Sequence, residues 1–88
     1  MNISIYDQGD QYADRYSVIY HDFEYDNMMQ CRGMSENPTH PQGFGQWFEL
    51  PNTADRSILG QIINYDDLPS ECQKLIQIDL NYFESNIN

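Results

Sequence analysis

Only one stretch of the chain carries a long helical pattern, and it lies near the C-terminal end. Between about Pro69 and Glu84, the residues Cys72, Leu75, Ile76, Leu80 and Phe83 recur at helical spacing and form a single apolar stripe, with Ile78 off it. One helix cannot bury its own stripe, so the residues before it must supply the surface it lies on. Those residues alternate and break in the manner of strands. The pattern therefore predicts an α+β fold: a four- to five-stranded, mostly antiparallel sheet with one C-terminal helix packed on one face. Asp66, Asp67 and Glu71 gather at the helix start, where negative charge suits the macrodipole. Asp67 or Ser70 is the expected N-cap, with Pro69 tolerated in the first turn. A chain of 88 residues is one domain, 1–88, with an ordered core of about residues 2–84 and a tail, 85–88, expected to fray.

The strands are read from alternation. Ile3 to Tyr6 is a short first strand, followed by turn chemistry at Asp7-Gln8-Gly9-Asp10. Arg15 to Tyr20 is the clearest strand, with Tyr16, Val18 and Tyr20 on one face and Ser17 and Ile19 on the other. His21 to Asp26 reads as a polar connection. Asn27 to Met34 reads as a third strand, close enough to the second to pair with it antiparallel. Gln46 to Leu50 is a fourth strand, placing Trp47 and Phe48 on opposite faces. Ile58 to Tyr65 is read as a fifth, interrupted at Gly60.

Charge narrows the partners. Fourteen Asp and Glu stand against four Lys and Arg, giving a net charge of −10. Nucleic acid and anionic membrane surfaces repel such a chain, so neither is expected as a direct partner. Aromatics at 14%, seven of them Tyr, argue for a folded domain rather than an acidic tail. The opening residues lack the basic and apolar regions of a secretory leader, and no apolar run approaches a membrane span. The expected location is the cytoplasm, with Cys31 and Cys72 as free thiols. The two histidines, His21 and His40, and the two cysteines have no metal-ligand spacing, so neither a metal nor a cofactor is expected.

The segment from Ser35 to Gly45 is neither helix nor strand. Pro38, Pro41, Gly43 and Gly45 punctuate it, and it is long for so small a domain. It is the expected ligand or partner site, through Arg32, Ser35, Glu36, Asn37, His40, Gln42, Phe44, Gln46 and Trp47. A stiff polar loop loses little entropy on binding. Arg32, Glu36 and His40 form a weak acid–base candidate for phosphodiester cleavage, which a −10 chain disfavours. No nucleophile elbow, P-loop or dinucleotide fingerprint is present, and no catalytic residue is expected. Asp7, Asp10, Asp14, Asp22, Glu24 and Asp26 crowd the first 26 residues. If they share one edge they make an acidic surface able to occupy a nucleic-acid-binding groove on a partner. The alternative is a dispersed, solvating distribution.

Asp14-Arg15-Tyr16-Ser17-Val18-Ile19-Tyr20, Arg32-Gly33-Met34-Ser35-Glu36-Asn37-Pro38, His40-Pro41-Gln42-Gly43-Phe44-Gly45-Gln46, Leu59-Gly60 and Asp67-Leu68-Pro69 together carry a resemblance. The chain resembles, over about residues 12–80, a group of short uncharacterised proteins of bacteriophages, prophages and plasmids. The resemblance implies a mobile-element origin and an accessory role, and brings no cofactor or catalytic residue with it. The chain departs from the group in its acidity and in Trp47 and Phe48 after the loop. The expectation is a non-enzymatic protein that binds and blocks a host protein with a basic surface, such as a defence or nucleic-acid-binding factor. Two alternatives stand beside it. One is a small-ligand binder sequestering a nucleotide-type signal, with Arg32 on a phosphate and Phe44 or Trp47 stacked on a base. The other is a structural or oligomerising domain without a ligand. An exposed edge strand also invites a homodimer.

Overall fold

The computed structural model describes residues 2–85. Five strands form one sheet in the order β4-β3-β2-β1-β5. They are β1 (Ile3–Asp7), β2 (Tyr16–Tyr25), β3 (Met28–Met34), β4 (Gly45–Pro51) and β5 (Gln61–Ile63). Every neighbouring pair is antiparallel. The helix, α1 (Ser70–Ser85), lies across one face. The α+β architecture read from the stripe and the alternations is the one observed. The last residues of the expected frayed tail lie outside the described residues.

The stripe of α1 packs as its spacing requires. Cys72, Ile76 and Leu80 are buried against Ile5, Tyr16, Val18, Tyr20 and Met34 of the sheet, with Leu75 and Phe83 partly buried beside them. Ile78, off the stripe, is exposed. The opposite face of the sheet carries a smaller core of Tyr6, Ile19, Met29, Cys31 and Leu59, with Phe48 and Leu50 partly buried against it. Trp47 lies on the helix side against Phe83, and Phe48 on the other, as alternation demands.

Three expectations are corrected. First, His21 to Asp26 is not a connection: β2 continues to Tyr25, and the turn is only Asp26-Asn27. Both turn residues have positive φ, 57° and 64°, the requirement of a two-residue primed hairpin turn that Asp and Asn tolerate. A register irregularity between Tyr20 and Tyr25 shifts the alternation, so Phe23 joins Tyr20 on the helix side and stacks on Phe83 at 3.9 Å.

Second, Ile58 to Tyr65 is not a broken strand. Residues Arg56–Leu59 form a 3-10 turn, β5 is Gln61–Ile63 alone, and Tyr65–Asp67 form a second 3-10 turn. Local capping wins over the apolar pattern. Asp55 accepts from the Ser57 amide at 3.0 Å, and Asp67 accepts from the Asn64 amide at 3.0 Å. Gly60 separates turn from strand with φ +97°, and any Cβ there would meet the Asp7 carbonyl. Because β4 and β5 lie on opposite edges, residues 52–60 form a strap across the helix-free face. Leu59 is its buried anchor.

Third, neither Asp67 nor Ser70 caps α1 as expected. Ser70 is its first helical residue, and Asp67 is turned back to Asn64. The Pro69 carbonyl receives the first amides, from Cys72 and Gln73. The Gln73 side chain bonds the carbonyls of Tyr65 and Leu68, bracing the entry.

Candidate functional site

The crossover between β3 and β4 is built from two successive turns. The His40 amide donates to the Asn37 carbonyl at 3.2 Å, and the Gly43 amide donates to the His40 carbonyl at 2.7 Å. Each turn has proline in its second position, Pro38 and Pro41, which presets the backbone. Gly43 is required because a Cβ there would collide with the Asn37 carbonyl. His40 Nδ1 accepts the Gln42 amide at 3.1 Å, so the neutral ring carries its proton on Nε2. Ser35 closes the base. Its amide donates to the Phe44 carbonyl, and its hydroxyl accepts the Phe44 amide, both at 2.8 Å. Thr39 donates to Glu71 on α1 at 3.1 Å, which ties the loop to the start of the helix.

This loop faces the β1–β2 turn across an open cleft of about 590 Å³. Ser35, Glu36, Asn37, His40 and Gln42 line one side, and Asp10, Tyr12 and Arg15 the other. Arg15 spans it. Its Nε and one Nη bond the two Asp7 oxygens at 2.8 and 3.1 Å, and its other Nη bonds Glu36 at 2.6 Å. The Arg15 hydrogen bonds hold the Asp7 carboxyl below its usual value, and the two carboxylates hold Arg15 protonated well above its own. The guanidinium is thereby neutralised on both sides. Asp10 adds negative charge, and among the described residues no hydrogen bond occupies the side-chain amides of Asn37 and Gln42.

The expected site residues do not converge in one place. Arg32 points away from the loop. Its Nε and Nη2 bond the two oxygens of Asp79 at 3.2 and 2.9 Å, and its guanidinium lies 4.4 Å from the Trp47 ring centre. Arg32 and Trp47 share a groove of about 410 Å³ with Ile78, Tyr82 and Phe83 of α1. Phe44 and Gln46 line a third hollow on the helix-free face, beside Ser17 and Gly33. Arg32, Glu36 and His40 are therefore not an acid–base set, since Arg32 is committed to Asp79 and Glu36 to Arg15. Of the two nucleotide arrangements, the one that stacks a base on Phe44 has no single cleft to occupy, whereas Trp47 does share a groove with Arg32, whose guanidinium is there paired with Asp79.

Nor do the six early acids form one row. At about 3.3 Å per residue, the ten residues of β2 span about 30 Å. Asp7, Asp10 and Asp14 stand at the loop end of β2, and Asp22, Glu24 and Asp26 at the hairpin end.

Two groups escaped sequence reasoning. Arg15 and Tyr12 complete the cleft beside Asp10, and nothing in their local pattern marks them. Asp79 is only 3% exposed and accepts both Arg32 and the Tyr20 hydroxyl, the latter at 2.6 Å. Its signal was present: it lies between Ile76 and Leu80 on the apolar stripe, a position a carboxylate occupies only when paired. Burial and the Asp79 contact drive the Tyr20 phenol far above its ordinary pKa, so it remains a donor.

Among the described residues, no three His, Cys, Asp or Glu side chains gather to hold a metal ion. No helix among them is long and apolar enough to cross a membrane. Fold and site together define a small five-stranded α+β domain with a loop-walled polar cleft and a separate aromatic groove. No protein-family model matches this chain, nor does any curated protein sequence or solved structure.

Proposed function

We propose that the chain is a non-catalytic binding protein that takes a basic side chain of a partner protein into the cleft between the crossover loop and the β1–β2 turn. The observation carrying this reading is the state of Arg15. It sits in the cleft already bonded to Asp7 and Glu36, so it offers no net attraction to an anion. Asp10, the outer Glu36 oxygen and the amide oxygens of Asn37 and Gln42 are left to receive a donor. A lysine or arginine head supplies several donors in one group. The net charge of −10 draws a basic surface toward the domain before any contact forms. Prolines in both loop turns keep the ordering cost low. Given the resemblance to phage and plasmid proteins, the partner is a host factor, blocked by occupation of its basic surface.

Two paired variants with the same change in charge test this. Asp10→Asn with Glu36→Gln alters the cleft; Glu24→Gln with Asp26→Asn alters the hairpin end. Capture from host lysate is expected to recover basic proteins that are released at high salt, and to fail with the cleft pair alone. Equal capture by both pairs would show that bulk charge, rather than the cleft, does the binding.

A further inference from the structure

The sheet ends at β4. The Ser35 amide donates to the Phe44 carbonyl at 2.8 Å, and the Asn52 amide to the Asn27 carbonyl at 2.9 Å, bracketing the β3–β4 ladder. Antiparallel bonding alternates along a strand. Gln46, Phe48 and Leu50 therefore turn their main-chain groups toward β3, while Gly45, Trp47 and Glu49 turn theirs outward. All three outward residues are exposed. The β3–β4 register runs without a bulge. Natural edges are commonly blunted by lysine, proline or a bulge. Here the single charge is Glu49, and Pro51 follows the last outward amide.

We propose that this edge is a homodimer interface, in which a second copy of the chain pairs its β4 antiparallel to the first about a two-fold axis at Trp47. Symmetry requires that whatever faces residue j on one copy also faces it on the other. The axis at Trp47 meets that condition with all three outward residues in use. Trp47 faces Trp47 of the second copy, and Gly45 faces Glu49. An axis at Glu49 would oppose two like charges, which destabilises a pair. An axis at Phe48 would set Gly45 against Pro51, which has no amide to give. An axis at Gln46 would leave Glu49 beyond the end of the strand pairing.

Charge permits the contact. In the chosen register the two Glu49 side chains stand about 13 Å apart at about 3.3 Å per residue, beyond the screening length of about 8 Å. Of the acids of the first 26 residues, Glu24 and Asp26 come near β4 only past its end, where Glu24 accepts from Asn52, and the rest lie on or beside β1 and β2 with β3 between them and the edge. Side chains also match. Trp47 is 41% exposed beside Ile78 at 57%, and the axis brings the two indoles together over the groove. On the other face Phe44 meets Leu50 of the second copy.

Sedimentation velocity from about 1 to 500 µM tests the proposal, spanning the weak affinities expected of a small interface. The mass is expected to rise from 10.4 kDa toward twice that value. Emission of Trp47, the single tryptophan, is expected to shift to the blue over the same range. Glu49→Pro removes one outward amide and spares the inner ladder. It is expected to stay monomeric while keeping its far-ultraviolet dichroism. The register has its own readout, because Gln46 of one copy faces Phe48 of the other. Gln46→Cys and Phe48→Cys proteins are expected to form a disulfide when mixed and oxidised, and neither to do so alone. A monomer throughout the range overturns the proposal, as does a dimer indifferent to Glu49→Pro. Because Phe48 stands opposite Cys31 within one chain, the readout is the covalent dimer, and a covalent dimer formed by either cysteine variant alone overturns the two-fold at Trp47.

Discussion

Replacing Asp79 by alanine strips the link between helix and sheet and leaves its partners where they are. The Arg32 guanidinium, with its side chain 14% exposed, loses both carboxylate bonds, and the Tyr20 hydroxyl, on a residue 1% exposed, loses its acceptor. Removing one member of a buried ion pair costs about 3–5 kcal/mol, because the other charge stays desolvated. The orphaned hydroxyl adds about 1–3 kcal/mol. A domain of this length holds about 4–13 kcal/mol in all, so the variant loses a third or more of its stability. At a urea slope of about 1 kcal/mol per molar, the midpoint falls by about 4 M or more, or the protein is unfolded in buffer. Trp47, stacked on Arg32, reports the transition through its emission. A second construction separates pairing from burial. Asp79→Leu with Arg32→Met and Tyr20→Phe removes every polar partner together and is expected to lie within about 2 kcal/mol of the parent. If Asp79→Ala shifts the midpoint by less than about 0.5 M, the pair is not desolvated and the reasoning fails.

Ile76, on the face of α1 turned to the sheet, is fully buried, and Ile76→Ala is expected to cost about 2–5 kcal/mol by thermal or urea unfolding. Gly43→Ala drives a methyl into the Asn37 carbonyl and is expected to cost about 1–3 kcal/mol while weakening partner capture. Stability is expected to fall in acid in two stages, measured by urea midpoints against pH. Burial, then Arg56, depress the His21 pKa below 6.5, so the unfolded state binds the proton first. That contribution is whole above about pH 6.5 and is lost as pH drops through the folded value, and His21→Asn should flatten this stage. The Arg15 hydrogen bonds depress Asp7 below 3.8, so its contribution is present above that value and lost below it.

The fold was legible wherever apolar periodicity and burial agree. Cys72, Ile76 and Leu80 announce α1, and Tyr16, Val18 and Tyr20 announce the sheet face it covers. Reading failed where short polar residues act on their own backbone. Asp26 and Asn27 look like loop filler yet make the tightest hairpin turn, and Asp55 and Asp67 convert strand-like apolar runs into 3-10 turns. The Asn-Pro and His-Pro turns of the crossover were legible as punctuation. Which faces Arg32, Phe44 and Trp47 occupy depended on strand register and on a carboxylate 47 residues away, which no local pattern contains.

The two cysteines stand on opposite sides of the sheet. Cys72 is sealed by the helix and Cys31 belongs to the core beneath the strap of residues 52–60, both fully buried. Burial pushes the Cys31 thiol up to about 11 and the Cys72 thiol up to about 12, so neither is an active nucleophile in the closed state. Each sulfur is thus a clock for its own covering. A strap that lifts while α1 stays docked exposes Cys31 to an alkylating reagent and spares Cys72. A domain that opens only as a whole modifies both at one rate, and the ratio of the two labelling rates tells how firmly the two halves of this small molecule are geared together.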